Sequence, residues 1–373
     1  MDVTESFLAN PGNVTPACKP AYWISKPLWE LEPLDIFYFV AILPLMSVVI
    51  VSGLVGNALS FVVLRKEMKV SSTSILLYFL AFVDNLVLIS NIVDYPLSTI
   101  YQYSGGKFVE GVELYYILRP YWFFFVWFSK TLSVYTVVFL CVERFIAVCL
   151  PLKAASLCTV RYTRYSIISL LVFSFVCNLP KLWIFKATKV FDECALKFRP
   201  MYTRTEMRKN YFFQLIYNKV VYIGILQVIP LLLINVATFF IVKYLSFSKS
   251  KQIAANQTEG NRQQLGVVIR VCAISVVFTV LELPAGSVNI VNMITPPPAM
   301  LFELTYILGC INSSINIYVY CLTGKRFRSI LYKVVFCRKR GDHHLSQNKS
   351  RCDVTKTESA AVSTHRGLSP GWA

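Results

Sequence analysis

Hydrophobic positions in this chain fall into long solid blocks, not into the alternation of half-buried strands. Ile36 to Leu64 runs 29 residues without a charged side chain. About 20 apolar residues are enough to cross a bilayer as a helix. Seven such blocks occur, at roughly 36–64, 72–100, 115–142, 165–185, 211–242, 267–294 and 299–322. Each predicts a membrane-spanning helix. A membrane β-barrel is excluded, because its strands would alternate. The joining segments are short, and no internal repeat shows.

Composition agrees with the pattern. The chain has 55% hydrophobic and 15% charged residues and a mean hydropathy of +0.55. A soluble domain carries about 25% charged residues, so a water-soluble enzyme is excluded. Charge then orients the spans. Glu30, Glu32 and Asp35 precede the first block, while Arg65, Lys66 and Lys69 follow it. Positive residues stay on the cytoplasmic side, which predicts an outside N-terminus and, after seven spans, an inside C-terminus. The expected organisation is an extracellular tail over 1–35, a membrane domain over 36–335 and a disordered cytoplasmic tail over 336–373. The net charge of +17 is spread over loops around this core. That suits anionic lipid headgroups and argues against nucleic acid.

Residues 1–25 lack the apolar core of a secretory signal, so the first span is expected to act as the insertion signal. Asp2 excludes N-myristoylation. Of the four Asn-x-Ser/Thr triplets, only Asn13 is extracellular in this topology, making it the glycosylation candidate. Of eleven cysteines, those in or near spans read as small apolar packing groups. Cys18 and Cys194 are the two extracellular ones, and they are expected to pair. Cys337 follows an amphipathic stretch and is a palmitoylation candidate.

Local motifs give the spans a class. Gly56-Asn57 lies in the first span and Leu80-Ala81-Phe82-Val83-Asp84 in the second. Glu143-Arg144-Phe145 ends the third. Pro230 and Pro284 mark the fifth and sixth, and Asn316-Ile317-Tyr318-Val319-Tyr320 the seventh. In this order, each in its own span, they resemble the rhodopsin-like (class A) G-protein-coupled receptors across residues 36–335. The implied fold is an all-α membrane protein, a seven-transmembrane helix bundle. Gly324-Lys325-Arg326-Phe327-Arg328 resembles the start of that family's short C-terminal membrane-surface helix. The resemblance implies coupling and switch roles for Glu143, Arg144, Pro230, Phe278, Pro284, Asn316 and Tyr320.

Helical geometry adds to this. A helix turns about 100° per residue, so Ser133 and Arg144 share a face within about 20°, with Lys130 about 40° to the other side. Asn312, Asn316 and Tyr320 form a second polar stripe. Such residues face a bundle interior or a wet cavity. Asp84 in mid-span needs a partner or a proton, since an unpaired carboxylate there costs several kcal/mol. Asp84, Ser133, Asn312, Ser313 and Asn316 match the family's sodium pocket. An ionless hydrogen-bond network is the alternative.

The departures from the family are informative. Arg119 replaces the usual cysteine of the third span, so the usual bridge cannot form. Leu281-Glu282-Leu283-Pro284 stands where Cys-Trp-x-Pro is expected, so the tryptophan switch is a glutamate. Ile317 replaces the proline of the seventh span. On the family's template Lys130 and Glu282 face one another at the pocket floor. They are expected to form a buried pair in place of the tryptophan, or else to be hydrated separately.

For the ligand, the seventh span has no lysine for retinal, and Val126 replaces the aspartate of amine receptors. Asn178-Leu179-Pro180-Lys181 and Asn312-Ser313-Ser314-Ile315-Asn316 resemble invertebrate receptors of the FMRFamide type. That implies a neuropeptide ligand, with an Arg-Phe-amide peptide favoured. Tyr95, Tyr101, Tyr115, Tyr116, Tyr121, Trp122, Phe123, Phe124 and Trp127 offer pocket area or a membrane-interface belt. Asp94 and Glu303 would suit the peptide's guanidinium. Against that, residues 181–209 are strongly basic and would attract an acidic ligand, so the ligand's charge stays open. The implied partners are a peptide, a heterotrimeric G protein, arrestin on the Ser/Thr-bearing tail, and lipids. No cofactor is expected beyond sodium. A channel or transporter built on Lys130, Glu282, Asp84 and Asp94 is the alternative of another class, and a constitutively active or silent receptor the alternative within it. The three histidines all lie in the tail, and no His-Glu-x-x-His occurs, which argues against a membrane enzyme.

Overall fold

The computed structural model describes residues 42–67, 71–93, 96, 109–192, 197–252, 259–292, 294–295 and 298–336. Among these, six helices are long and apolar enough to cross a membrane. The pair Met300–Ser314 and Asn316–Thr323, bent by 41°, completes a seventh span. The others, in order, are Leu43–Arg65, Ser72–Ile92, Ile117–Cys149, Val160–Trp183, Tyr211–Phe247 and Leu265–Val291. Several helices outrun the blocks that predicted them. The third runs from Val109 to Cys149 and the sixth from Glu259 to Val291, because a helix continues into polar sequence until a breaker stops it.

The breakers and caps are readable. Leu150 leaves helical geometry at φ −130°, ψ 59°, and Pro151 opens the next short helix, Pro151–Leu157. Proline disfavours helix at the residue before it and suits the first helical position. Ser71 and Thr159 start the second and fourth spans by accepting from the amides of Ser74 and Tyr162, supplying partners for orphan N–H groups.

The third span is the hub, touching the second, fourth, fifth and sixth. The first and seventh approach closely through small residues. A Cβ on Gly53 would collide with Ser314, and one on Gly56 would meet Ile317 at 2.7 Å. Small residues serve this purpose between membrane helices. The seventh span breaks at Ile315 although Ile317 stands in place of proline. Here the Ser314 hydroxyl donates to the Cys310 carbonyl at 2.7 Å, a back-bond of the kind that bends helices.

Two features were not foreseen. The basic segment after the fourth span is an antiparallel hairpin, β1 (Phe185–Asp192) paired with β2 (Lys197–Arg204) and lying on the third span. The fifth span carries a π-helical stretch, Gln214–Val228, which hands over to α-helix at Ile229 and Pro230. Ile229 N–H bonds Gly224 O, five residues back. Proline has no N–H to continue the preceding pattern, so the register changes there.

The core has two parts. The larger lies towards the Arg144 end and includes Leu76, Leu80, Leu140, Ile234, Phe278, Tyr320 and Phe327. The smaller joins Met46, Ile50, Leu88, Ile307 and Cys310. Outward-facing residues such as Val48, Phe239 and Leu283 are more than half exposed, which suits lipid tails. After the seventh span, Lys325–Phe336 forms an amphipathic helix. Its Phe327 is buried against Tyr320, ring centroids 5.4 Å apart, while Lys325, Arg326 and Arg328 stay exposed.

Candidate functional site: a charged cavity above a polar network

A cavity of about 450 Å³ opens among the second, third, fifth, sixth and seventh spans at the hairpin end of the bundle. On the third span Phe123, Val126, Trp127 and Lys130 line it at helical spacing. Trp127 meets Tyr222 of the fifth span edge-on at 4.9 Å. Of the other named aromatics, Tyr121 is 66% exposed and Phe124 packs on Phe128 and Phe175. Helical phase makes only part of that cluster a pocket wall.

Lys130 and Glu282 come together. Lys130 Nζ lies 3.0 Å from Glu282 Oε1, with the glutamate nearly buried and the lysine facing the cavity. The third and sixth spans thus share an ion pair. Below it the wall reaches Ser133, Asn312 and Ser313. Ser133 donates to Asp84 Oδ1 at 2.7 Å and Asn316 Nδ2 donates to Oδ2 at 2.6 Å. The Ser313 hydroxyl adjoins the same carboxylate. Asn57 donates to the Ser313 carbonyl at 2.8 Å, tying the first span to this network. One carboxylate with two serine hydroxyls beside it offers hard oxygen ligands of the kind a small cation prefers, and the cavity wall gives access to them. Among the described residues no group of His, Cys, Asp and Glu is set to hold a metal.

At the other end Glu143 is saturated. It accepts from Ser72 at 2.5 Å, from Thr73 at 3.1 Å, and from both Arg144 Nε and Nη2, at 2.9 and 2.8 Å. Arg144 is thereby folded back on its neighbour. Arg270 of the sixth span lies 5.9 Å above the Tyr320 ring, a further cation at the Arg144 end that no sequence motif marks.

Two expectations are corrected. Glu303 does not line the cavity. On its helix Phe302, Thr305, Tyr306 and Gly309 face inwards, and Glu303 is turned about 100° from Phe302. Lys181 does not belong to a basic surface. It is only 4% exposed and lies in the cavity wall. Asn178, which donates to Thr131 at 3.0 Å, pins the fourth span to the third. The tight turn Leu179–Trp183, begun by Pro180, then swings Lys181 inwards. Its Nζ sits 4.2 Å from the Trp127 ring centre, 4.5 Å from Tyr222, 5.5 Å from Phe123 and 5.6 Å from Tyr217. A lysine beside a proline at a span end was the available signal. Arg208 also lines the cavity, over the Phe185 ring at 5.1 Å. Burial, and secondarily Arg204, lower its pKa from the ordinary arginine value.

Asn13, Cys18, Asp94, Cys194 and Cys337 lie outside the described residues. Cys141, Cys149, Cys158, Cys177, Cys272, Cys310 and Cys321 carry free thiols.

A seven-helix bundle with a cavity at one end and a largely buried Glu143–Arg144 ion pair at the other defines a class, and the comparisons name it. Residues 56–320 match the 7 transmembrane receptor (rhodopsin family), and the chain belongs to that family. A receptor, not an enzyme, channel or transporter, is the class this membership supports. Among its relatives, the FMRFamide receptor of Drosophila melanogaster is 26% identical over 88% of this chain and 58% of its own length. The thyrotropin-releasing hormone receptor of Mus musculus is 24% identical over 83% of this chain and 84% of its own. The FMRFamide peptide receptor frpr-18 of Caenorhabditis elegans is 24% identical, over 86% and 74%. The chain thus spans less than two thirds of the Drosophila receptor.

Proposed function

We propose that this protein is a plasma-membrane receptor for a neuropeptide that signals through heterotrimeric G proteins, with its N-terminus outside and its C-terminus inside. The observation that carries this is a cavity of about 450 Å³ whose floor is the Lys130–Glu282 pair and the Asp84 network. The names of the relatives, receptors for FMRFamide and for thyrotropin-releasing hormone, support a peptide. Arg-Phe-amide peptides are the first class to test.

The mechanism follows from the contacts. A ligand that engages Lys130 or Glu282 changes the third-to-sixth span attraction. The sixth span can bend at Pro284, where a backbone hydrogen bond is missing. Phe278 lies below that point in the packed core, and Tyr320 and Asn316 complete it from the seventh span. Outward movement there would give Arg144 reason to leave Glu143 and meet the G protein. A sodium ion held by Asp84, Ser133 and Ser313, with Asn312 and Asn316 near, would neutralise the buried carboxylate and favour the resting packing. Pro230 sets the register of the fifth span beside this path. Arrestin on the tail, anionic lipid on the amphipathic helix, a palmitoyl group on Cys337, a glycan on Asn13 and a Cys18–Cys194 bridge complete the proposal.

The test is a calcium or cAMP response in cells expressing the chain, challenged with amidated neuropeptides. A nanomolar response lost in Arg144→Ala is expected. Silence across the library with surface expression verified would overturn the amidated-peptide reading.

A further inference from the structure

Lys181 is a buried cation without an anion. Among the described residues it has no hydrogen-bond or ion-pair partner, and its ammonium is held only by four aromatic faces. Such faces attract a cation, but they leave its N–H donors unmet, and buried charge is otherwise paired. The ammonium borders the cavity. Nearby on the wall stand Arg208 and Lys219, neither in an ion pair among the described residues. Among the described residues the wall's one acid, Glu282, is already engaged by Lys130 at 3.0 Å. The unbalanced charge of the described wall is therefore positive.

We propose that this cavity recognises its ligand through an anionic group, a carboxylate or sulfate, seated on the Lys181 ammonium, with Arg208 as a second cation nearer the hairpin. The proposal rests on the receptor reading above and narrows it. A peptide whose sole charge is a guanidinium meets no free acid on the described wall. A peptide with an acidic side chain, or with a free C-terminal carboxylate, meets a waiting cation inside an aromatic cage. The rings Trp127 and Tyr222 would flank the bound group and exclude water, which strengthens the contact. Exposed Lys186 and Lys189 on β1 would draw such a ligand towards the cavity.

The test uses the purified full chain in phosphatidylcholine nanodiscs. It is offered an equimolar set of short aromatic peptides built as twins, Glu against Gln, and free C-terminal acid against amide. Phenylpropionate and phenylpropionamide form a non-peptide twin, read by ligand-observed NMR. Retention is measured by mass spectrometry. Acidic members should be retained at least about tenfold over their neutral twins, the scale of one charge-assisted hydrogen bond. The two kinds of twin tell a side-chain acid from a terminal one. Lys181→Met, which keeps the aliphatic stem in the cage, should abolish the preference, and Lys181→Arg should keep it. Arg208→Gln should reduce it about threefold, the smaller effect of a wetter charge. Should Lys181→Met fail to melt like the wild type, the Lys181→Arg and Arg208→Gln results decide. Equal retention of twins, or a preference that survives a folded Lys181→Met, overturns the proposal. Lys181-dependent binding of phenylpropionate with no peptide retained supports it while removing the peptide reading. Binding of neither class overturns it.

Discussion

The two ends of the bundle are built on opposite principles. At the hairpin end polar and charged side chains line open space, the fifth span is wound as a π-helix, and Lys181 has no anion beside it among the described residues. At the Arg144 end the interior is filled, with Leu76, Leu80, Leu140, Tyr320 and Phe327 fully buried, and Glu143 accepts from four donor atoms. The difference teaches that stability and responsiveness are segregated. The packed end holds the spans together in one arrangement. The open end keeps charged side chains around a space that a ligand could enter.

That contrast can be broken by measurement. The largest effect is expected from truncation in the filled half. Leu80→Ala should cost about 3 kcal/mol through the cavity it leaves, whereas Val87→Ala, on a wall that already borders space, should cost under about 1 kcal/mol. Thermal unfolding in nanodiscs compares them, and equal losses would erase the distinction. Next comes the ion pair. Lys130→Met or Glu282→Leu alone should destabilise by about 3 kcal/mol, the low end for a broken buried pair, because Lys130 is partly wet. The double variant should recover most of the loss, and exchanging the two residues should rescue ligand response. Two failing single variants with no recovery in either double would remove the pairing from the mechanism.

Smaller effects are expected at Glu143. Glu143→Gln weakens charge-assisted bonds worth about 2 kcal/mol and frees Arg144, so ligand-independent signalling should rise several-fold in a cAMP or calcium assay. Unchanged basal signalling would mean that this contact does not restrain the receptor. Ser72→Ala removes one of the four donors and should cost about 1 kcal/mol. Its basal signalling should rise in the same direction by less, and a fall would contradict the restraint.

The spans were legible because a bilayer demands long apolar runs, and their motifs carried the family. Lys130, Glu282 and Asp84 stood out because a charge in such a run needs a reason. What sequence spacing could not supply was rotation at helix ends. Lys181 reads with the basic surface because Pro180 beside it signals where the span ends and not where the following turn aims the side chain. Glu303 reads as a pocket residue because depth along the seventh span is legible in sequence, whereas the face that a residue at the start of a helix presents is not. The hairpin escaped notice because its strands carry lysine and arginine, and Pro200 within β2 weakens a strand reading. The π-helical stretch has the composition of an ordinary span. Only the proline at its end betrays a change.

The cavity that begins beneath the hairpin ends on Ser133 and Ser313, the hydroxyls beside Asp84. Water or a small ion travelling that way must pass the seat where a ligand would rest. A ligand seated there would cork the vessel, and solute exchange with the Asp84 carboxylate by this route would keep time with ligand departure. Residence time, and not affinity alone, would set how long that site keeps its last occupant.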